Sequence, residues 1–348
     1  MIWRWITAKT DFAALAPAWD AAVLLAGGDN PFLLSDFLLC YTESFVPEGD
    51  LRILAIYDKN SLIAGLPLYC ARRSRRPRLS ALRYLGLGFA NLTEPFHPPG
   101  AEGAFTLACS QALAELAGWH FCHLPLARTS WWRAAGGCRW LDSSAGVSAR
   151  LVVDRPAEDY LLTLSAKMQS NLRRCRRHAT AAGGVTLTRE TSPAAVAELV
   201  DFQLLHNGPA RYPPDVQVSP DRAAWSSFTR TLLLRLAAAN HLDAMALRLG
   251  GQLAAAGFGF RYGPGYKSML VSHDPAFSRC GPGLLLFYEL INWCLAQGDP
   301  WIDMYADGNS FDKRRWCRDF QPLRQAYVFP VRRRAVLLYY YCRVLAHE

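Results

Sequence analysis

The segment from Asp274 to Phe287 has a spacing of residues that suits the binding of a phosphate. Gly281 and Gly283 flank Pro282, and an apolar run that predicts a helix over 283–297 follows directly. Glycine lets the backbone approach a ligand closely, and proline suits the entry to a helix. The unpaired N–H groups and the dipole of a helix start favour a phosphate or pyrophosphate there. For this spacing alone, a strand-to-helix turn without a ligand is the alternative.

A second group of reactive side chains lies on and after a predicted strand over 301–305. Alternation along the strand places Asp303 and Tyr305 on one face, where both would point into a cleft beside the phosphate. Asp303 would act as a base toward an amine or would orient a substrate. Asn309 and Lys313 follow, and Lys313 would bind an anionic group of the acceptor. A structural cap or ion pair is the alternative for Asp303, and packing is the alternative for Tyr305.

The end of a predicted helix over 192–207 supplies a further candidate base. His206 lies there, directly before a loop that contains Arg211. The histidine would reach an acceptor pocket, and the arginine would hold a carboxylate or a phosphate. The helix dipole also favours a histidine at this position without any catalytic role.

A strongly basic helix is predicted around Lys167, with arginines at 173, 174, 176 and 177. No acidic residue lies between Lys167 and Arg189, and the arginines cover more than one helix face. This density of charge favours a phosphate-rich ligand or RNA, with Lys167 and Arg174 as candidate contacts. Solvated surface charge is the alternative.

Two nearby histidines, His120 and His123, are the only pattern that suggests a metal site. They lie on a predicted strand over 119–126 with no further cluster of ligands. A packed strand therefore explains them better, and no metal site is predicted.

The elements that would position these side chains repeat once along the chain. Hairpins are predicted at 51–69 and 243–262, and their alignment matches Ala64-Gly65-Leu66 with Ala256-Gly257-Phe258. We interpret this as a duplication of one α/β unit, with chance similarity of two hairpins as the alternative. The predicted domains are 1–155 and 156–348, the second more complete, with a long helical stretch at 156–182 as the joint.

The other predicted elements alternate in the same way. In the first half they are helices at 11–26, 35–46 and 102–118, with the strand at 119–126. In the second half they are helices at 192–207, 221–239, 283–297, 311–318 and 332–346, with strands at 266–272, 301–305 and 323–329. A hairpin that leads to a third strand, a helix and another strand predicts a mixed α/β sheet.

Several segments between 164 and 316 match a known family in sequence. They are Leu164-Ser165-Ala166-Lys167, Asn171-Leu172-Arg173-Arg174, Leu204-Leu205-His206, Asp274-Pro275-Ala276-Phe277, Gly281-Pro282-Gly283-Leu284-Leu285 and Lys313-Arg314-Arg315-Trp316. With the order of elements, they make residues 165–325 resemble the GNAT acyltransferase superfamily. The resemblance is to its acetyltransferase branch found near polysaccharide biosynthesis genes, which is related to the tandem Fem-type aminoacyltransferases.

The resemblance implies an acyl-CoA donor, acetyl-CoA in particular, and no metal. The pyrophosphate of the donor would lie on Arg279, Gly281, Gly283 and Leu284. Ser278 stands where the family has Gln or Arg, and Arg279 is shifted by one position. The implied roles are catalytic for Asp303, His206 and Tyr305, and substrate binding for Lys313, Arg211, Asn309, Lys167 and Arg174.

Composition and charge limit the setting and the partners. The 348 residues are 51% hydrophobic and 19% charged, with a net charge of +9, which indicates folded domains and anionic partners. Ten cysteines without a CxxC pair predict packed thiols in a reducing compartment. The sequence lacks a signal peptide and any bilayer-spanning run, so a cytoplasmic location is predicted. The helix at 332–346 would rest on an anionic membrane or, alternatively, pack on the last strand.

Three functions therefore remain open at this point. The first is an N-acyltransferase that moves an acyl group from acyl-CoA to an amine such as an amino sugar or nucleotide sugar. The second is a Fem-type transferase that uses aminoacyl-tRNA. The third is a catalytically silent protein that binds a nucleotide.

Overall fold

The computed structural model describes residues 1–72, 79–86, 89–90, 92–134, 136–206, 222–260, 262–304, 316–317 and 319–345. The chain divides into two compact units. Unit 1 contains Met1–Gly146 and Pro322–Glu348, and unit 2 contains Val147–Asp215 and Ser219–Gln321.

Short runs of strands and of helices follow one another along the described residues. The strands are β1 (Ile2–Ile6), β2 (Leu51–Asp58), β3 (Ser61–Arg72), β4 (Ser80–Tyr84), β5 (Phe121–Ala127), β6 (Cys138–Val152), β7 (Val185–Glu190), β8 (Leu242–Leu249), β9 (Gln252–Phe260), β10 (Tyr266–His273), β11 (Trp301–Asp303) and β12 (Asp319–Pro330). The α-helices are α1 (Lys9–Leu25), α2 (Ser35–Phe45), α3 (Glu102–Glu115), α4 (Ala157–Thr163), α5 (Ala166–Ala181), α6 (Pro193–His206), α7 (Arg222–Ala238), α8 (Pro282–Gln297) and α9 (Arg333–Leu345).

The two units have the same strand order. In unit 1 the order is β1-β2-β3-β4-β5-β12, and in unit 2 it is β7-β8-β9-β10-β11-β6, where unit 2 contains β6 from Val147 onward and unit 1 contains β12 from Pro322 onward. Each unit pairs its fourth and fifth strands in parallel, β4 with β5 and β10 with β11. The fifth strand then pairs antiparallel with a sixth, β12 in unit 1 and β6 in unit 2. This repetition confirms the predicted duplication and the mixed α/β class.

The core of unit 2 lies between its sheet and the helices α4, α5 and α8. The apolar helix α8 buries Leu285, Leu286 and Ile291 in this cluster. Gly257 on β9 faces Leu286, and a Cβ at that position would lie 3.2 Å from a Leu286 methyl group. The small residue therefore lets the helix lie close to the strand.

The predicted helical stretch at 156–182 is divided into two helices in the structure. α4 ends at Thr163, and α5 begins at Ala166 with Ser165 as its N-cap. The Ser165 hydroxyl accepts a hydrogen bond from the Met168 N–H at 3.3 Å, which satisfies a free donor at the helix start. The capping signal therefore overrides the continuous helical pattern.

Four strands were not predicted, and one predicted strand is shorter than expected. The unpredicted strands are β1, β4, β6 and β7. β11 ends at Asp303, and Tyr305 and most of the predicted helix at 311–318 lie outside the described residues.

Candidate active site

The predicted phosphate site is the junction between a single-turn helix and α8 in unit 2. A 3-10 helix over Pro275–Cys280 ends at Gly281, which has φ 60° and ψ 55° in the left-handed region. The Asp274 carboxylate starts this turn by accepting from the Ala276 N–H at 2.8 Å. α8 then begins at Pro282, as the sequence predicted for a helix with proline in its first turn.

The two glycines of the turn have different structural reasons. Gly281 needs its left-handed backbone, and a Cβ there would lie 2.6 Å from the Cys175 Sγ on α5. Gly283 has an ordinary φ, and the nearest atom to its Cβ position is the His273 Nδ1 at 3.8 Å. Packing therefore requires glycine at position 281 but not at position 283. The free space at Gly283 and its unpaired N–H at the helix start suit the close approach of a ligand.

The strands β10 and β11 separate immediately in front of this turn. They pair only through Tyr266 with Ile302 and Lys267 with Asp303 within the described residues. The Met304 N–H donates to the Ala149 carbonyl at 2.9 Å, which continues the pairing of β11 with β6. β10 continues to His273, beside Gly283, paired on its other edge with β9.

A shift of register in β10 contributes to this separation. Ser268 pairs with Gly259 and Leu270 with Phe258 on β9, so the pairing skips Met269, as in a β-bulge. A bulge bends its strand and increases the local twist. Within the described residues, β10 is therefore unpaired on its β11 side beyond Lys267, and this free edge leads to the start of α8.

Asp303 lies where the two strands separate. Its side chain is buried and accepts from the Ser148 hydroxyl at 3.0 Å and from the Arg150 guanidinium at 3.3 Å. The register places Lys267, which is fully buried, beside it on β10. The Lys267 Nζ donates to the Tyr262 carbonyl at 2.5 Å.

The Trp301 ring contacts both cations of this group, Arg150 and Lys267. The Arg150 guanidinium lies 4.1 Å and the Lys267 Nζ 4.5 Å from the centre of the Trp301 ring. Cation–π contacts of this kind stabilise cations that have left water. The sequence did not predict the roles of Ser148, Arg150 and Lys267, because β6 and β10, which are distant from β11 in sequence, bring them to Asp303. Trp301 lies on β11 itself, two residues before Asp303.

The remaining predicted catalytic and acceptor-binding residues are only partly described. His206 is the last residue of α6, and its ring contacts the Phe202 ring at 4.4 Å between centroids. Tyr305, Asn309, Lys313 and Arg211 lie outside the described residues.

The basic helix α5 presents its cations next to the Gly281 turn. Its buried positions Met168, Leu172, Cys175 and Ala179 follow helical spacing and face the core. Lys167, Arg174 and Arg279 of the adjoining turn are exposed. The Arg174 guanidinium donates to the Asn171 amide oxygen at 2.7 Å, and Arg176 pairs with Glu158 at 2.8 Å. Cys175 of α5 lies against Gly281, and its neighbour Arg174 is exposed. The exposed cations of α5 therefore lie next to the turn.

The tyrosine on α8, Tyr288, was also not singled out in the sequence. Its hydroxyl donates to the Glu158 carboxylate at 2.6 Å, and the Arg176 guanidinium lies 5.0 Å from its ring centre. Burial, followed by the bond to Glu158, raises the pKa of Tyr288 to about 12. The hydrogen bond from Tyr288, with the charge of Arg176, lowers the pKa of Glu158. This group joins α4, α5 and α8 behind the turn.

The described residues hold no group of three or more His, Cys, Asp or Glu side chains that could bind a metal ion. His120, one of the two histidines considered for a metal, instead accepts from the Ser80 N–H at 3.1 Å. No helix in the described ranges is long and apolar enough to cross a membrane. All ten cysteines lie in the described ranges, and none is in a disulfide.

Residues 166–314 match the family model described as an acetyltransferase (GNAT) domain. No curated protein sequence matches the chain. Among solved structures, FemX is 10% identical with a TM-score of 0.59, over 95% of this chain and 98% of FemX.

Two further structures share the fold at low identity. The C-terminal domain of a putative lysylphosphatidylglycerol synthetase from Agrobacterium fabrum is 12% identical, with a TM-score of 0.52, over 93% of this chain and 95% of that domain. L-PGS from Bacillus licheniformis is 13% identical, with a TM-score of 0.50, over 89% of this chain and 96% of L-PGS. With the family match over residues 166–314 and the repeated strand order of the two units, these likenesses support the predicted fold of two tandem mixed sheets. Unit 2 thus carries the match to the GNAT acetyltransferase domain, and the chain as a whole shares its fold with FemX.

Proposed function

We propose that the protein is an N-acyltransferase that moves an acyl group from acyl-CoA to an amine acceptor. The observation that supports this proposal is the edge of β10 that is unpaired beyond Lys267 within the described residues and leads to Gly283 at the start of α8. A phosphate group at the helix start would be stabilised by the Gly283 N–H and by the helix dipole. The unpaired edge of β10 offers backbone donors and acceptors to an extended amide chain such as the pantetheine arm.

The side chains have separate roles in the proposed acyl transfer. The amine nitrogen attacks the thioester carbon, the C–N bond forms, the C–S bond breaks, and the amine loses a proton. In this proposal His206, the last residue of α6, takes the proton as the general base. Asp303 is fixed by Ser148 and Arg150, so its role is to orient the acceptor. Tyr305, Asn309, Lys313 and Arg211 retain their predicted roles in catalysis and acceptor binding.

The charge of the site suggests the class of donor and acceptor. Arg279, Leu284 and the glycines of the turn would hold the pyrophosphate, while Lys167 and Arg174 on α5 would hold further phosphates. The resemblance of residues 165–325 to acetyltransferases of polysaccharide biosynthesis supports acetyl-CoA as donor and an amino sugar or nucleotide sugar as acceptor.

A second candidate function is aminoacyl transfer from tRNA. The fold shared with FemX and the exposed cations of α5 favour it. RNA that co-purifies with the protein and is released at high salt would support this candidate, since phosphate contacts weaken as salt rises. A silent nucleotide-binding protein would bind CoA but transfer no acyl group to any amine.

The test is calorimetric titration and thermal shift of the full chain with acetyl-CoA and with CoA. A donor that binds the folded state raises the melting temperature. The key variant is Gly283→Val, whose side chain would occupy the approach to the helix start. Gly103→Val is the matched control, because Gly103 also lies at the second position of a helix, α3, and has nothing within 4 Å of its Cβ position.

We expect acetyl-CoA to stabilise the wild type and the Gly103→Val control, and to lose at least about tenfold in affinity for Gly283→Val. Absence of binding at millimolar CoA would refute the proposal. Equal binding by both variants would show that the donor does not use the α8 turn.

A further inference from the structure

The last helix of unit 1, α9, contacts the sheet with one side only. Ala335 and Tyr339, which lie one helical turn apart, are buried. The Tyr339 ring meets the Phe329 ring of β12 edge-on, with 5.6 Å between the centroids. Leu337 and Tyr340 on the same helix are 65% and 47% exposed. The helix therefore packs on the last strand, one of its two predicted positions, and leaves a leucine and a tyrosine in water.

Arg139 at the start of β6 lies against the tyrosines of α9. Its guanidinium carbon is 5.5 Å from the centre of the Tyr339 ring and 5.4 Å from the centre of the Tyr340 ring. Arg139 is exposed, and its contacts in the described part of the chain are with these rings rather than with a carboxylate. A cation without an acidic partner among the described residues thus lies beside the exposed side chains of α9.

Positive charge is in excess along the segment that forms α9. Residues 322–348 contain five arginines and one acidic residue, Glu348. Arg332, directly before the helix, is exposed and donates to the Ala114 carbonyl at 2.9 Å. Because a neutral carbonyl does not cancel the charge, Arg332 adds to the positive potential of this surface.

The surface beside α9 has room for a polar headgroup. A shallow, open depression of about 450 Å³ lies there, with Arg139, Asp142 and Tyr339 in its wall. The Asp142 carboxylate pairs with Arg133 at 2.7 Å and with Arg324 at 3.2 Å. These two arginines outweigh the carboxylate, and Arg139 adds a further positive charge. The depression therefore attracts an anionic group.

These features together indicate an anionic lipid bilayer as the partner of this surface. A helix that lies in the plane of a membrane combines exposed apolar side chains with unbalanced cations. Tyrosine suits the headgroup layer, because its ring is apolar and its hydroxyl is polar. With 13 residues, α9 is too short to cross a bilayer, which needs about 20.

Two other occupants fit this surface less well. RNA would use the rings and the cations, but it would leave the aliphatic side chains of Leu337 and Val331 in water, and Val331 is 58% exposed. A second copy of the chain would bring the same excess of positive charge to the contact, and like charges oppose such pairing. An anionic bilayer accommodates both the apolar side chains and the cations.

We propose that α9 and the start of β6 bind the surface of an anionic lipid bilayer. Leu337 and Tyr340 enter the boundary between headgroups and acyl chains, and Arg139 lies at the level of the lipid phosphates. The other arginines of residues 322–348 add long-range attraction. The proposal concerns unit 1 and is independent of the function proposed for unit 2, because binding to lipid is measured without an acyl donor.

The first experiment is sedimentation of the full chain with two kinds of vesicle. One is phosphatidylcholine alone, and the other contains about 30 mol% phosphatidylglycerol, which gives it a negative surface potential. We expect binding to the anionic vesicles at low salt, at least about tenfold weaker binding to the neutral ones, and weaker binding as salt rises. Equal binding to both compositions, or binding to neither, would overturn the proposal.

The second experiment removes an apolar side chain. Leu337→Ser should weaken binding to the anionic vesicles at least about fivefold, because the leucine leaves water when the helix enters the bilayer. Leu24→Ser is the matched control and should bind as the wild type does. Leu24 is 66% exposed on α1, a helix with one lysine and two aspartates and thus without excess positive charge. Equal losses in the two variants would show that α9 is not the contact, and the proposal would fail.

The third experiment removes a cation. Arg139→Gln should weaken binding to the anionic vesicles about fivefold and leave binding to neutral ones unchanged. Arg155→Gln is the control, because Arg155 is also exposed but pairs with Asp154, and its loss changes the net charge of the chain equally. If both variants lose affinity to the same extent, only the net charge matters and Arg139 does not contact the lipid.

Measurements on the wild type cover the case in which a variant does not fold. The amides of residues 331–345 should exchange hydrogen more slowly when anionic vesicles are present, while those of α1 should not change. Unchanged exchange along α9 would contradict the proposal. Binding of a tRNA mixture that Arg139→Gln weakens and Leu337→Ser does not, without binding to vesicles, would assign the surface to RNA. A dimer in sedimentation velocity that Leu337→Ser dissociates would assign it to a second copy of the chain.

Discussion

The left-handed residue before α8 allows a quantitative test of how the candidate active site is built. The perturbation is Gly281→Ala, which adds one methyl group at φ 60°. A non-glycine residue in the left-handed region costs roughly 1–2 kcal/mol. The added Cβ would also lie 2.6 Å from the Cys175 Sγ, and overpacking of a core costs about 1–3 kcal/mol.

Together these effects predict a loss of about 2–5 kcal/mol in the free energy of unfolding of unit 2. For a unit of this size, about 2–4 °C of melting temperature corresponds to each kcal/mol, so the melting temperature should fall by roughly 4 to 20 °C. Gly283→Ala is the control, because its Cβ meets nothing closer than 3.8 Å. The free energy of unfolding of Gly283→Ala should equal that of the wild type or exceed it by up to about 1 kcal/mol.

The assay is differential scanning calorimetry of the single variants and of the double variant with Cys175→Ala. Removal of the Sγ leaves the Cys175 Cβ at 3.6 Å, an ordinary contact. The double variant should therefore recover about 1–3 kcal/mol relative to the sum of the single variants, while the backbone strain remains. If Gly281→Ala melts within about 2 °C of the wild type, the reasoning about the turn is refuted. If Gly281→Ala lowers the free energy of unfolding equally with and without Cys175→Ala, the left-handed backbone alone explains why position 281 needs glycine.

Three further changes test other parts of the structure. Arg150→Met should cost about 3–5 kcal/mol in urea unfolding, because it removes one partner of the buried Arg150–Asp303 ion pair. Breaking the exposed Arg155–Asp154 pair should cost under about 1 kcal/mol, and equal losses for the two pairs would contradict this. Burial lowers the pKa of His123 from 6.5 to about 4 in the folded protein. Between pH 6.5 and 4 the histidine is therefore protonated in the unfolded chain but neutral in the folded one. Stability should therefore fall by about 3 kcal/mol as the pH falls through this window, and His123→Gln should remove that slope in unfolding measured at several pH values. Tyr288→Phe should lose about 0.5–1.5 kcal/mol through its missing hydrogen bond to α4, and a melting temperature unchanged within error would show that this bond is not stabilising.

The local parts of the fold could be predicted from the sequence because local residues determine them. The hairpins at 51–69 and 243–262 close on short turns, and Pro282 marks the first turn of α8. β6 was not predicted, since its residues are polar and small and its burial follows no clean alternation. The helix break at Ser165 had a capping signal that the continuous helical pattern hid.

The candidate site could be predicted only in part. Gly281, Gly283 and Asp303 lie in recognisable motifs, but the partners of Asp303 come from strands far apart in sequence. The separation of β10 from β11 depends on pairing that ends after Lys267, and no local spacing encodes where a strand stops pairing.

The sixth strand of each unit has a consequence for how the protein is made. β6 follows β5 along the chain but completes the sheet of unit 2, and β12 follows β11 but completes the sheet of unit 1. During synthesis the β5 edge of the first sheet therefore stays unpaired until β12, which ends at Pro330, has been made. An unpaired strand edge favours aggregation, so the nascent chain should need protection, for example by chaperones. The compactness of the two folded units gives no sign of this need. A fragment that ends near residue 155 should aggregate in the same way, and addition of the last segment in trans should rescue its solubility.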